Sequence, residues 1–170
     1  MLDNKNTKEY LNAFAKYVIQ QSRSNLTKGN KNVDKKLYNS LDKEIEVSAN
    51  SFRMAFLMED YGAYQDKGVS GTQKKYDTPF SYKSKRPPLK PIQDWVTKRR
   101  FQFRNKETGK FMSYKSTAFL ITKGIFKNGI KPSLFFTKPF EKAFERLPDE
   151  LVEVYGLDVE QFLQYTINKK

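Results

Sequence analysis

Between Glu44 and Met58 the apolar residues recur at every second position, and on either side of that stretch they recur every three to four. This switch of period constrains the fold more than any other feature. A period of two puts alternate side chains on opposite faces of a strand, whereas a period of 3.6 lines one face of a helix. Ile45, Val47 and Ala49 alternate with Glu44, Glu46 and Ser48, and Phe52, Met54, Phe56 and Met58 alternate with Arg53, Ala55 and Leu57. With Ala49-Asn50-Ser51 as the turn, the two runs predict a β-hairpin whose second strand is the more buried.

Upstream, Leu11, Phe14, Ala15, Val18 and Ile19 keep the i, i+3, i+4, i+7, i+8 spacing of an amphipathic helix, fading around Ser22 to Asn25. Asn6 with Glu9 three residues later supplies a capping-box start. Thr27 to Lys36 reads as a polar loop, and Leu37 to Leu41 as a helical turn. Downstream, Pro91 suits the first turn of a short helix with Ile92, Trp95 and Val96 on one side. Phe101, Phe103 and Phe111 flank a small hairpin insertion at about 101–112 with Gly109 in its turn. A helix follows from about Ser113 to Lys127, with Tyr114, Ala118, Ile121 and Ile125 on its stripe and Asn128-Gly129 as its stop. Phe140, Ala143, Phe144 and Leu147 resume helical spacing, Pro148 permits a restart, and Asp158 with Gln161 is expected to open a last helix.

The 170 residues include no cysteine and no histidine. Disulfides, thiolate nucleophiles, Cys/His zinc sites and iron–sulfur clusters are thereby excluded, as are Ser-His-Asp and Cys-His machinery. Carboxylate, Lys, Tyr or Mg²⁺ chemistry remains. Glu59-Asp60, beside a predicted strand end, is the best Mg²⁺ candidate, but adjacent strand residues point to opposite faces and a solvated turn explains the pair as well. No phosphate loop, dinucleotide fingerprint or metal-ligand spacing is present, so no catalytic residue, cofactor or metal is expected. No apolar run exceeds a few residues, so neither a signal peptide nor a membrane span is expected, and a soluble protein made in the cytoplasm is.

The formal net charge of +13 is uneven: residues 61–115 carry 14 Lys and Arg against 4 Asp and Glu. Such clustering suggests a surface meeting phosphate or acidic protein, although a solvated lysine-rich loop has the same composition. Within it, the long basic loop at about 72–91 shows no periodicity and ends in Pro87, Pro88 and Pro91. Its aromatics Tyr76, Phe80 and Tyr82 argue against simple disorder, so the loop is expected to order against something. Tyr76, Phe80, Tyr82, Lys83, Lys85 and Arg86 are the expected subunit or partner contacts. Lys98, Arg99, Arg100 and Arg104 are the expected contacts to DNA or to an acidic partner. Trp95, Phe135 and Phe136 read as core anchors.

Tyr61-Gly62-Ala63-Tyr64-Gln65-Asp66-Lys67-Gly68-Val69-Ser70-Gly71 follows the hairpin and precedes Pro79-Phe80, the Pro-rich basic stretch and Pro91-Ile92-Gln93-Asp94-Trp95-Val96. A helix, Gly129-Ile130-Lys131-Pro132 and Phe135-Phe136 come later. This order, over roughly residues 40–140, resembles the tail-completion or neck proteins of tailed bacteriophages, which join the portal vertex of the capsid to the tail. The resemblance implies one α+β domain over residues 1–170: a small, mainly antiparallel sheet with a core hairpin, packed by N-terminal, central and C-terminal helices, plus a long extended loop. It places Tyr61, Gly62, Tyr64, Asp66, Gly68 and Gly71 in a structural turn at the hairpin's exit. It further implies a non-catalytic virion protein, a homo-oligomeric ring around the DNA channel that meets portal or adapter and tail proteins and touches packaged DNA non-specifically, with no membrane. The alternative is a small basic nucleic-acid-binding protein using the cations and aromatics of 72–104. A third reading is a His-free Mg²⁺ nuclease at Glu59 and Asp60.

Overall fold

A computed structural model describes residues 4–48 and 51–168. In chain order these form α1 (Lys5–Lys28), α2 (Lys36–Ser40), β1 (Asp42–Val47), β2 (Phe52–Leu57), α3 (Gly62–Lys67), α4 (Leu89–Lys98), α5 (Tyr114–Asn128), α6 (Thr137–Phe144) and α7 (Leu147–Asn168). The class is α+β with a small antiparallel sheet. Where one domain was expected, chain contacts divide into two compact units: residues 1–29, 36–59 and 135–170 in the first, and residues 30–35 and 60–134 in the second.

The first unit is organised around α1, which buries Leu11, Phe14, Ala15, Val18, Ile19, Ser22 and Leu26 on one side. The helix outruns its expected end because Leu26, fully buried, extends the same stripe by another turn. Ser22 does not break it, since its hydroxyl donates to the Val18 carbonyl at 2.7 Å. Arg23 then ties α1 to α2 and the residue after it, donating to the Tyr38 and Leu41 carbonyls at 3.0 Å each. Around Ile19 and Leu26 gather Leu37, Leu41 and Phe135, while Leu11, Phe14, Val18 and Leu147 form a second buried cluster.

β1 and β2 pair antiparallel with Ile45 opposite Met54 and Val47 opposite Phe52, the hairpin that the period of two predicts. Three residues of each strand are half-buried and none is fully buried, so the second strand is not the more buried; Phe52 and Leu57 stand 48% and 40% exposed. Lys43, on the inward face, extends its ammonium to the carbonyl and side chain of Asn12 on α1. Of the expected turn, Ala49 and Asn50 lie outside the described residues; the Ser48 N–H donates to the Ser51 carbonyl at 2.8 Å.

The C-terminal segment departs from expectation. Leu147–Asn168 is one helix, and Asp158 lies inside it and opens no new one. Its buried carboxylate instead accepts the backbone N–H groups of Asn6 at 3.0 Å and Thr7 at 2.9 Å, the Thr7 hydroxyl at 2.7 Å and the Asn6 amide at 2.9 Å. Asn6 is therefore a first-turn residue served by a remote cap, and the Asn6/Glu9 box is unused. An ionised carboxylate meets orphan N–H donors and the positive end of the helix dipole better than a neutral amide does.

In the second unit α4 packs on α5. Ser113 caps α5, accepting the Ser116 N–H at 3.1 Å, and Gly129 ends it at φ 73°. The buried residues of α5 are Thr117, Ala118 and Thr122, with Tyr114, Ile121 and Ile125 half-buried. The stripe is rotated from the apolar one because both threonines satisfy their hydroxyls. Thr122 donates to the Ala118 carbonyl at 2.9 Å, and Thr117 accepts the Phe103 N–H at 3.3 Å. The 101–112 insertion is a hairpin with one antiparallel bridge, Arg104 to Phe111. Gly109 turns at φ 67°, and the Asn105 side chain accepts the Glu107 and Thr108 N–H groups.

Candidate functional site

The Tyr61–Gly71 turn is where the second unit is tightest. Its first half is α3, and Gly68 ends that helix at φ 74°, where a Cβ would stand 2.5 Å from the Ile130 carbonyl oxygen and 2.6 Å from the Pro132 nitrogen. Val69 then exchanges backbone hydrogen bonds with Ile130 at 2.9 and 2.8 Å. At Gly71 a Cβ would fall 2.2 Å from the Lys127 carbonyl oxygen. The Ser133 and Leu134 N–H groups reach the Asp66 carbonyl at 3.0 and 2.9 Å. Two phrases set apart in sequence, Tyr61–Gly71 and Gly129–Pro132, are thus one backbone contact. Asp66 is buried in it, whereas Tyr61 and Tyr64 are exposed and Gly62 is buried.

The basic loop at 72–91 orders against its own unit. Ser70 accepts the Tyr82 N–H and donates to the Phe80 carbonyl, both at 2.8 Å, and its hydroxyl accepts the Tyr76 N–H at 2.9 Å. Phe80 meets the Tyr64 ring edge-on at 4.6 Å, and Tyr82 lies 6.4 Å from Phe126. Burial, and then the neighbouring Tyr64, push the Tyr82 phenol above its ordinary value. Tyr76, Phe80 and Tyr82 are half-buried by these contacts, while Lys83, Lys85 and Arg86 stay exposed, Arg86 with its guanidinium 5.9 Å from the Phe126 ring.

Of the expected core anchors, Phe135 is buried and Phe136 half-buried, but Trp95 is 42% exposed. Val96, fully buried, makes the core contact of α4. Successive helical residues point about 100° apart, so one residue's difference in the docked face decides which is buried. Trp95 carries the Arg99 guanidinium 5.9 Å from its ring. Lys98 pairs with Asp34 at 3.1 Å, Arg99 donates to the Asn30 carbonyl, and Arg104 lies 4.7 Å from the Phe111 ring. All four expected cations are exposed.

Among the described residues no three His, Cys, Asp or Glu side chains stand together as a metal site. A cleft of about 480 Å³ in the first unit is lined by Tyr10, Tyr17, Lys142, Glu145, Arg146 and Glu150 among others. There the Tyr10 hydroxyl donates to Glu150 at 2.6 Å, and burial together with that carboxylate pushes its pKa up to about 12. Such a phenol is a neutral donor near pH 7, the wrong state for a base or nucleophile.

No protein-family model, no curated protein and no solved structure matches the chain.

Two further features come from the fold. A groove of about 460 Å³ in the first unit is lined only by apolar side chains, among them Phe52, Met54, Phe56, Phe136, Phe140 and Phe144. Phe56, Phe136 and Phe140 lie within 6 Å of one another, and Phe140 stacks on Phe144 at 5.5 Å. Strand alternation and helix spacing each marked these residues as apolar, but only their convergence makes a groove. The other feature is the division of charge. The second unit carries 19 Lys and Arg against 6 Asp and Glu, which is +13, while the first carries 13 of each and is formally neutral.

Proposed function

We propose that the chain is a structural, non-catalytic subunit of a tailed-phage head–tail connector, a neck or tail-completion protein. It assembles as a ring that joins the portal vertex to the tail around the DNA channel. The order of motifs over residues 40–140 supports the virion setting. The observation that carries an assembly role is the apolar groove beside a two-stranded sheet on a unit of zero net charge. Contiguous exposed apolar surface marks interaction sites, and a hairpin with no third strand offers backbone donors and acceptors to another chain. Copies meeting through +13 units would repel, so subunit contacts belong on the neutral unit. A closed ring needs a heterologous contact whose rotation closes. No helix among the described residues is long and apolar enough to cross a membrane.

The test is mass by light scattering, for the protein alone and mixed with portal and tail proteins encoded beside it. A discrete multimer, or a shift on adding those partners, is expected. Phe52→Glu and Phe144→Glu, at positions 48% and 47% exposed, should abolish it without unfolding the chain. Lys83→Ala should leave it intact. A wild-type protein that stays monomeric with and without those partners overturns the proposal.

A further inference from the structure

The segment from Trp95 to Tyr114 holds six of the second unit's cations, Lys98, Arg99, Arg100, Arg104, Lys106 and Lys110, against one acidic residue, Glu107. Three aromatic side chains of the same segment are exposed: Trp95 at 42%, Phe101 at 42% and Phe111 at 62%. Two of them stand beside an arginine, Trp95 with Arg99 and Phe111 with Arg104. Solvating a large aromatic is unfavourable, and a lysine-rich solvated face has no use for three of them.

The backbone at Arg100 adds an independent observation. α4 ends with the Arg100 N–H donating to the Thr97 carbonyl at 3.0 Å and the Phe101 N–H to the Val96 carbonyl at 2.9 Å. This is the Schellman arrangement, and its left-handed position is usually glycine. Here it is Arg100 at φ 51°. A side chain with Cβ is disfavoured at that angle, so arginine there costs the fold stability that glycine would not.

From these observations we infer that the 95–111 surface of the second unit binds single-stranded nucleic acid, by stacking unpaired bases on Trp95, Phe101 and Phe111 while the neighbouring arginines pair with the phosphates. Charge complementarity selects a polyanion, and the exposed rings select one with free base faces. A duplex keeps its bases stacked internally and offers the rings nothing, and an acidic protein surface offers only charge. The inference does not rest on the assembly proposal, since it concerns the other unit and needs no second copy.

Trp95 is the chain's single tryptophan, so its emission reports on this surface alone. The experiment is a fluorescence titration of the full chain with a twenty-nucleotide oligo-dT, a duplex of equal length and inorganic polyphosphate, at low and rising salt. Oligo-dT should quench Trp95 and bind at least tenfold more tightly than either other polyanion, with affinity falling as salt rises. Phe111→Ala, at a side chain outside the core, should weaken oligo-dT binding about tenfold, as loss of one stacked base does. Arg100→Gly should weaken it too while raising the midpoint of thermal unfolding, an opposition that a merely structural role would not produce. Equal affinity for all three ligands without quenching, or no binding at low salt, overturns the inference.

Discussion

Asp158 shows how a single side chain can serve two elements. Burial pushes its carboxyl up, but the hydrogen bonds from Thr7 and Asn6 outweigh that and hold it below its ordinary value of 3.8. A carboxyl with a depressed folded pKa contributes stability that is present above the unfolded value and lost as pH falls through the folded one. Urea unfolding should therefore show Asp158→Ala to be less stable than wild type by about 2 kcal/mol at pH 7, with the gap closing as pH falls below the ordinary value and through the depressed folded one. A gap that persists unchanged in acid would mean packing, not the charge, is responsible. Gly68 poses the opposite case, since nothing larger fits: Gly68→Val puts a branched side chain at φ 74° against the Ile130 carbonyl. It should cost about 3 kcal/mol or more, whereas Lys83→Ala should stay within about 0.5 kcal/mol. The multimer of the proposed assembly, followed by light scattering, should be lost in Gly68→Val and kept in Lys83→Ala.

At the scale of elements, α5 and α7 differ in what sets their limits. Ser113 and Gly129, both adjacent to α5, cap it with local hydrogen bonds, so its bounds follow from neighbouring residues. Ser113→Ala should cost about 1 kcal/mol of stability by thermal or urea unfolding, the usual worth of a serine cap. α7 runs through Gly156 and past Asp158, and its capping signal at Asp158 is diverted to α1. A capping-box pattern states only that a side chain can accept N–H groups, not whose. The hairpin is a similar mixture: its register follows from alternation, but two strands alone are marginal and depend on the aromatic contacts of Phe56 with Phe14, Phe136 and Phe140.

For the whole chain the division of charge matters most. A unit at +13 and a neutral unit have different solution behaviour: salt should leave contacts through the first unit largely unchanged and weaken polyanion binding through the second. A sliding window on the sequence finds the excess in residues 61–115 but leaves some charge elsewhere. Only the fold, which joins residues 30–35, Asp60 and 116–134 to the basic unit, brings the remainder to zero.

The sequence by itself determined what depends on a few consecutive residues: the hairpin through its period of two, the apolar stripe of α1, the stop of α5 at Gly129, the tight turn through Gly68 and Gly71, and the exclusion of Cys and His chemistry. These readings hold because backbone geometry, caps and side-chain periodicity act within a turn or a strand pair. Tertiary structure decided the rest. It buried Val96 and exposed Trp95, joined Asp158 to a helix start some 150 residues away, folded the basic loop onto its own unit and gathered phenylalanines from β2 and α6 into one groove. Each of these depends on which face of an element docks, and docking is settled by the summed packing of residues far apart in the chain, which no local pattern encodes.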